Sequence, residues 1–246
     1  MSDLRAILVC VDYADLLAIT LPYNRHHFRE VHIVTSLDDV ETVSVAEASD
    51  AFIWKTDLFY ENGADFNKWL ALETYLDLIG RDGWMCLMDA DVLWPKDVTL
   101  EKEIGKLYSP LRHMFEDVTQ PIPSETNWDK YPIHSNVAEW AGYTQIFHAK
   151  DPVLPESKHW HETNWKHAGG ADSFFQMRWA PRNKVRPSFN CLHLGPAGAN
   201  WCGRVTPTTS GELHPQSRRA AMALDGYLTE RRTKSGPDRF NHEKLY

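Results

Sequence analysis

The chain is poor in cysteine. It has four in 246 residues, Cys10, Cys86, Cys191 and Cys202, and none forms a Cys-x-x-Cys pair. That argues against a disulfide framework and points to a reducing compartment. Cys10 and Cys86 sit in apolar runs and are expected to be buried free thiols. Long apolar runs are missing too: no stretch approaches the roughly 20 residues that a membrane helix needs. The opening Met-Ser-Asp-Leu-Arg leads into a strand-like segment, with no signal-peptide pattern before it, so a soluble, cytoplasmic protein is expected. Excess positive charge is also lacking. A net charge of −8 argues against a general polyanion-binding surface and leaves room only for a local basic patch. Internal repeats and low-complexity segments are absent.

What is present is globular: 43% hydrophobic and 24% charged residues, with 12 His and 10 Trp concentrated after residue 110. Such aromatic enrichment fits a ligand cleft, and equally a Trp-rich core. Ala6–Val11 is a continuous apolar run, the pattern of a strand covered on both faces. A helical rhythm interrupted by Pro22 follows over 14–28. Strands are expected at 31–35, 51–54 and 84–88, and an amphipathic helix from Phe66 to Ile79 ends at Gly80 and Gly83. This alternation implies an α/β, doubly wound, mostly parallel sheet flanked by helices, with ligands at the C-terminal strand edges. Residues 96–165 give a weak periodic signal. A strand is expected at 141–148, a short helix at 172–180 and another at 217–228.

Three segments carry chemistry. The first is Asp89-Ala90-Asp91, which closes an apolar strand. Carboxylates at the rim of a core suit a hard divalent cation, Mn²⁺ or Mg²⁺, whose open positions suit phosphates. A solvated turn has the same pattern. The second is His193-Leu-Gly-Pro-Ala-Gly-Ala-Asn-Trp201, where Gly195 and Gly198 let backbone N–H groups approach a phosphate. Alone, His193 reads equally as a core histidine. The third is His167-Ala-Gly-Gly-Ala-Asp-Ser-Phe-Phe175, whose Gly169–Gly170 turn sets Asp172 at a helix start, where it is equally a plain N-cap.

Together the three resemble the nucleotide-sugar glycosyltransferases of the GT-A fold. Met88–Pro95 resembles that family's Asp-x-Asp strand, and Phe66–Glu73 the helix that precedes it. His167–Phe175 is similar to the Gly-Gly-Glu-Asp segment of inverting galactosyltransferase-like members, with Ala171 in place of Glu. His193–Trp201 resembles the His-x-x-Gly-x-x-Lys-Pro-Trp segment of glycogenin-like members, with Ala199 at the Lys position and Asn200 at the Pro. The resemblance implies one catalytic domain over 1–205, with a nucleotide-binding half at 1–95 and an acceptor-binding half at 96–205. A polar, basic extension over 206–246 follows.

The resemblance further implies these roles. Asp91 and His193 ligate the metal, and Asp89 binds it through water or holds the ribose. Asp172 is the general base of an inverting transfer. The donor, most simply a UDP-sugar, is expected against Asp12, Tyr13, Thr35, Ser36, Asp38, Lys68, Asp89, Ala90, Gly195, Gly198, Asn200 and Trp201. The acceptor is expected against Trp140, Gly142, Tyr143, His167, Gly169 and Gly170. Asp12 and Asp38 read equally as turn residues, and Lys68 as a solvated helix residue. His148, His159, His161 and His167 lack zinc spacing and are read as acceptor-cleft or surface residues.

The acceptor stays open between a glycan, a small molecule and a hydroxymethylated base of phage-type DNA. For DNA, the candidate phosphate contacts are Arg178, Arg182, Lys184, Arg186, Arg204, Arg218, Arg219, Arg231 and Arg232, which read equally as a solvated basic face. A nucleotidyltransferase is the competing enzyme class. It would want a glycine-rich basic loop after strand one, where Val11–Asp15 is acidic and has no glycine. A binding module that has lost catalysis is the third reading.

Overall fold

The computed structural model describes residues 3–134, 140, 142–156 and 158–234, and the side chains of Arg218 and residues 230–234 lie outside that description. In chain order the elements are β1 (Leu4–Val9), α1 (Ala14–Asn24), β2 (Glu30–Thr35), α2 (Val40–Ala48), β3 (Phe52–Lys55), α3 (Lys68–Ile79), β4 (Trp84–Asp89) and β5 (Val92–Leu93). Then come β6 (Leu107–Tyr108), β7 (Leu111–Phe115), β8 (Thr144–His148), α4 (Ala171–Gln176), β9 (Lys184–Val185), β10 (Asn190–Leu194) and α5 (Ser217–Lys234).

The strands form a seven-stranded sheet of order β3-β2-β1-β4-β8-β6-β9 and a three-stranded sheet of order β5-β10-β7. β3, β2, β1 and β4 run parallel, and β8 pairs antiparallel with β4. This is the expected doubly wound, mostly parallel sheet flanked by helices. Side chains alternate along β1: Leu4, Ala6 and Leu8 pack with Leu17 and Leu21 of α1 and Ala46 of α2. Ile7 faces the other way, onto Trp69, Leu72 and Leu76 of α3. A strand sandwiched this way has no polar face, which is why it reads as an unbroken apolar run.

Helix starts are locally encoded where a cap is present. The Asp39 side chain accepts the Thr42 N–H to open α2, and the Asn67 side chain accepts the Leu70 N–H to open α3. Gly80, at φ 84°, ends α3 in the left-handed region that suits glycine. Helix α1 runs through Pro22, which leaves the Ala18 carbonyl without its intrahelical N–H partner, and ends at Asn24. The expected strand at 141–148 begins at Thr144, and Ala141 lies outside the described residues. The weakly periodic middle supplies β6 and β7, and β6, like β5 before it, is only two residues long.

Helix α1 also fixes the turn after β4. Thr20 Oγ1 donates to the Ala90 carbonyl at 2.6 Å, and Asn24 Nδ2 to the Val92 carbonyl at 2.7 Å. The Trp94 N–H donates back to Asn24 Oδ1 at 2.9 Å. Two buried side chains thus hold the Asp89–Trp94 backbone at the sheet edge. Among the described residues no helix is long and apolar enough to cross a membrane.

Candidate active site

A cavity of about 600 Å³ opens at the C-terminal edge of the parallel strands. Its lining includes Val9, Val11 and Tyr13, then Lys68, Asp89, Ala90, Asp91 and His193, and also Gly142, Tyr143, Gly169, Gly170 and Asp172. Trp201 and Asn200 close it from the loop after β10.

Asp91 and His193 are far apart in sequence, and the small sheet joins them. β5 and β10 pair antiparallel with His193 opposite Val92, and the Leu194 N–H donates to the Asp91 carbonyl at 2.8 Å. His193 Nδ1–H donates to the Gly195 carbonyl at 3.0 Å, which leaves Nε2 turned to Asp91 Oδ1 at 3.7 Å. Asp91 Oδ1 is buried with no hydrogen-bond partner. Burial, the largest influence, pushes the Asp91 carboxyl above its ordinary range, with His193 opposing and Asp89 adding to the rise. A buried carboxylate oxygen without a hydrogen-bond partner, beside an imidazole nitrogen, leaves polar groups that call for a partner. Among the described residues no group of three His, Cys, Asp or Glu side chains could hold a metal.

Asp89 has an ion-pair partner in the cavity. Its Oδ1 accepts Lys68 Nζ at 3.0 Å. Burial pulls Lys68 down, but Asp89 and Asp172 outweigh it, and the ammonium is held above its ordinary range. Lys68 is thus ion-paired with Asp89 and feels the charge of Asp172, whereas the sequence suggests a contact to phosphate.

Asp172 stands in the first turn of α4, and its Oδ2 accepts the Gly142 N–H at 2.7 Å. An added Cβ at Gly142 would come within 2.9 Å of Asp172 Cβ and Oδ2, so this approach requires glycine. Gly169 and Gly170 lie between two indoles: a Cβ would meet the Trp201 ring at 3.0 Å and the Trp165 ring at 2.8 Å, respectively. The Ala168 N–H donates to the Trp201 carbonyl at 2.8 Å, and Trp69 Nε1–H to the Ala168 carbonyl at 2.7 Å. The glycine pair thus rests on α3 and on the Trp201 loop.

Other expected residues lie outside the cavity. Thr35 and Ser36 are buried and donate to Asp39 Oδ2 at 3.1 Å and Asp38 Oδ1 at 2.9 Å. The Asp12 N–H, at φ 63°, donates to Asp39 Oδ2 at 2.8 Å. The loops after β1 and β2 are thus knit through Asp39. Burial raises the Asp12 carboxyl above its usual range, with His214 opposing. Gly195 serves the ladder, its N–H donating to the Phe115 carbonyl at 2.8 Å. Trp140 donates to the Val185 carbonyl at 3.3 Å under the Arg186 guanidinium. His167 lies behind the wall, 4.1 Å from the Tyr227 ring.

His161 is fully buried against Glu73, His159 pairs with Asp77 and His148 packs on Trp84; none lines the cavity. Several of the basic residues are held by contacts within the fold. Arg204 is buried on Asp15, Arg186 donates to the Ser109 carbonyl, Arg178 to the Trp160 carbonyl, and Lys184 to Gln176. Arg219 lies over Tyr60. The side chains of Arg218, Arg231 and Arg232 lie outside the described residues.

Sequence reasoning misses Arg112, His134, Phe66, Trp165 and Tyr227, all of which line the cavity. Arg112 and His134 fall in the weakly periodic stretch, so no pattern announces them. Tyr227 belongs to α5, which the sequence presents as an appendage and the structure docks on the cavity.

No family model matches the chain, and no curated protein matches it in sequence. Among solved structures, it is similar to a mannosyltransferase from Pyrobaculum calidifontis in complex with GDP-Man and Mn²⁺. The TM-score is 0.49 at 16% identity, over 80% of this chain and 58% of that one. It is also similar to mannosyl-3-phosphoglycerate synthase from Rubrobacter xylanophilus, at TM-score 0.47 and 11% identity over 100% of this chain and 79% of that one. A third is the inositol-1-phosphate CTP transferase from T. maritima, at 0.44 and 11% over 78% and 90%. The chain spans 58% of the length of the mannosyltransferase. Likenesses this distant assign no activity, and the fold rests on the strand order itself.

Proposed function

We propose that this chain is a metal-dependent glycosyltransferase that moves a sugar from a nucleotide-sugar donor, a UDP-sugar in the simplest case, to an acceptor hydroxyl with inversion. The observation that carries the reading is the orphan Asp91 Oδ1 facing His193 Nε2 at 3.7 Å in a cavity that also holds Asp172. A hard divalent cation, Mn²⁺ or Mg²⁺, held by Asp91 and His193 would neutralise the departing diphosphate.

The chain's own groups do the rest. The Gly195 carbonyl holds His193 in the tautomer whose Nε2 can donate its lone pair to a cation. The Gly142 N–H fixes the Asp172 carboxylate, leaving Oδ1 to take the acceptor hydroxyl's proton. Trp165 and Trp201 exclude water around it. Lys68, ion-paired with Asp89, places a positive charge in the same cavity as Asp172.

The test is a donor screen with Mn²⁺, following release of nucleoside diphosphate. Turnover should need the metal and vanish in Asp91→Asn. Asp172→Asn should lose transfer while donor binding stays within about twofold of wild type. No turnover with any donor, or full transfer by Asp172→Asn, refutes the reading.

A further inference from the structure

We infer that Arg112 is the residue that selects a nucleoside diphosphate over a monophosphate, by holding the phosphate farther from the ribose. The inference rests on the glycosyl-transfer reading and names the group in that site that recognises the leaving phosphate.

Five basic side chains line the cavity: Lys68, Arg112, His134, His193 and Arg204. Lys68 is spent on Asp89 and Arg204 on Asp15. His193 faces Asp91. Arg112 has no carboxylate within ion-pair distance among the described residues, and its Nε is buried with no hydrogen-bond partner there. By contrast, Arg5 is paired with Glu30 and Asp82, and Arg81 with Glu73 and Asp77. A guanidinium partly out of water, held by a ring face and by no ion-paired carboxylate, keeps hydrogen-bond donors unused.

Its position is built. Arg112 pairs with Cys191 on β10, two residues before His193, so it stands on the same rigid ladder as the Asp91–His193 pair. The guanidinium lies 4.1 Å from the centre of the Tyr143 ring, and Tyr143 is anchored by its hydroxyl on the Pro110 carbonyl. The His134 N–H donates to the Arg112 carbonyl at 3.0 Å, which brings a second basic ring to the same wall. The turn beside the site, Gly195–Trp201, carries no cation of its own. A planar fork with several donors suits a phosphate better than a point charge does.

The experiment is calorimetric titration of wild type, Arg112→Gln and Arg112→Lys with UDP, UMP and inorganic pyrophosphate, each with Mg²⁺. Thermal unfolding shows which variants are folded. Losing a charge-assisted contact should weaken UDP and pyrophosphate by about 30-fold in Arg112→Gln and leave UMP within about twofold. Arg112→Lys, which keeps charge without the fork, should recover part of the loss, and it decides the question if Arg112→Gln does not fold. Unchanged UDP affinity, or equal losses for UDP and UMP, overturns the inference while donor turnover by wild type still stands. If wild type binds neither UDP nor pyrophosphate, the glycosyl-transfer reading falls and takes this inference with it.

Discussion

Gly142→Ala tests the base assignment without touching the base. The new methyl would meet Asp172 Cβ and Oδ2 at 2.9 Å and Cγ at 3.2 Å. Asp172 Cβ is bonded to its own backbone, so rotating the side chain cannot relieve the clash, and the first turn of α4 must move. Overpacking of this kind costs about 1–3 kcal/mol of stability. Moving the carboxylate also disturbs the 2.7 Å bond from the Gly142 N–H. Since a displacement near 1 Å in a reacting group costs about 100-fold in rate, a loss of about 10- to 100-fold in kcat is expected. Donor KM should hold, because Asp91 and His193 sit on other elements. The control is Gly226→Ala in α5, where nothing lies within 4 Å of the new methyl. It should be neutral or stabilise by about 0.5–1 kcal/mol. Steady-state kinetics with chemical denaturation measures both. The reasoning fails if Gly142→Ala keeps kcat within about twofold of wild type, or if its loss appears in donor KM alone.

Further outcomes concern metal, stability and pH. Saturating Mn²⁺ should raise the Tm of wild type by about 5–10 °C, and Asp91→Asn should abolish the shift, whereas Asp89→Asn, whose carboxylate serves Lys68, should keep most of it; differential scanning calorimetry decides. Glu73→Ala strips a fully buried carboxylate from Arg81, from His161 Nδ1 and from the Trp160 and His161 N–H groups. It should cost about 3–5 kcal/mol in urea unfolding, and a loss under about 1 kcal/mol would contradict the network. Burial holds His161 below its ordinary range despite Glu73, and His161 with Arg81 holds Glu73 low despite burial. Both groups bind protons more readily when unfolded, so their contribution is complete above about pH 6.5, starts to fall below it through His161, and falls further below about pH 4.5 through Glu73. A flat profile for wild type from pH 7 to 4 would count against this. Arg204→Met removes the clamp from Asp15, the Asp12 carbonyl and the Pro207 carbonyl, so limited proteolysis should cut within 205–216 much faster than in wild type.

Much of the frame was legible in the residues. The apolar run of β1, the caps of α3 and the glycine that ends it are local signals, and each element formed within a few residues of its expected place. The Asp89–Asp91 turn was legible for the same reason: it interrupts an apolar strand, and the parallel order puts that strand end at the ligand edge. Helix α2 went unread, because Val40–Ala48 is rich in β-branched residues and buries few side chains. β5 and β6 were invisible, since a two-residue strand has no period.

By itself, then, the sequence determined a doubly wound sheet with carboxylates at its binding edge, because burial and helix capping are written in neighbouring residues. Tertiary structure alone decided how those groups are used. The β5–β10 ladder set His193 against Asp91 and the packing of α3 gave Asp89 to Lys68, while Asp39 drew Thr35 and Asp12 into loop hydrogen bonds. Each of these pairings joins distant segments through a hydrogen bond or an ion pair, and such contacts leave no periodic trace along the chain.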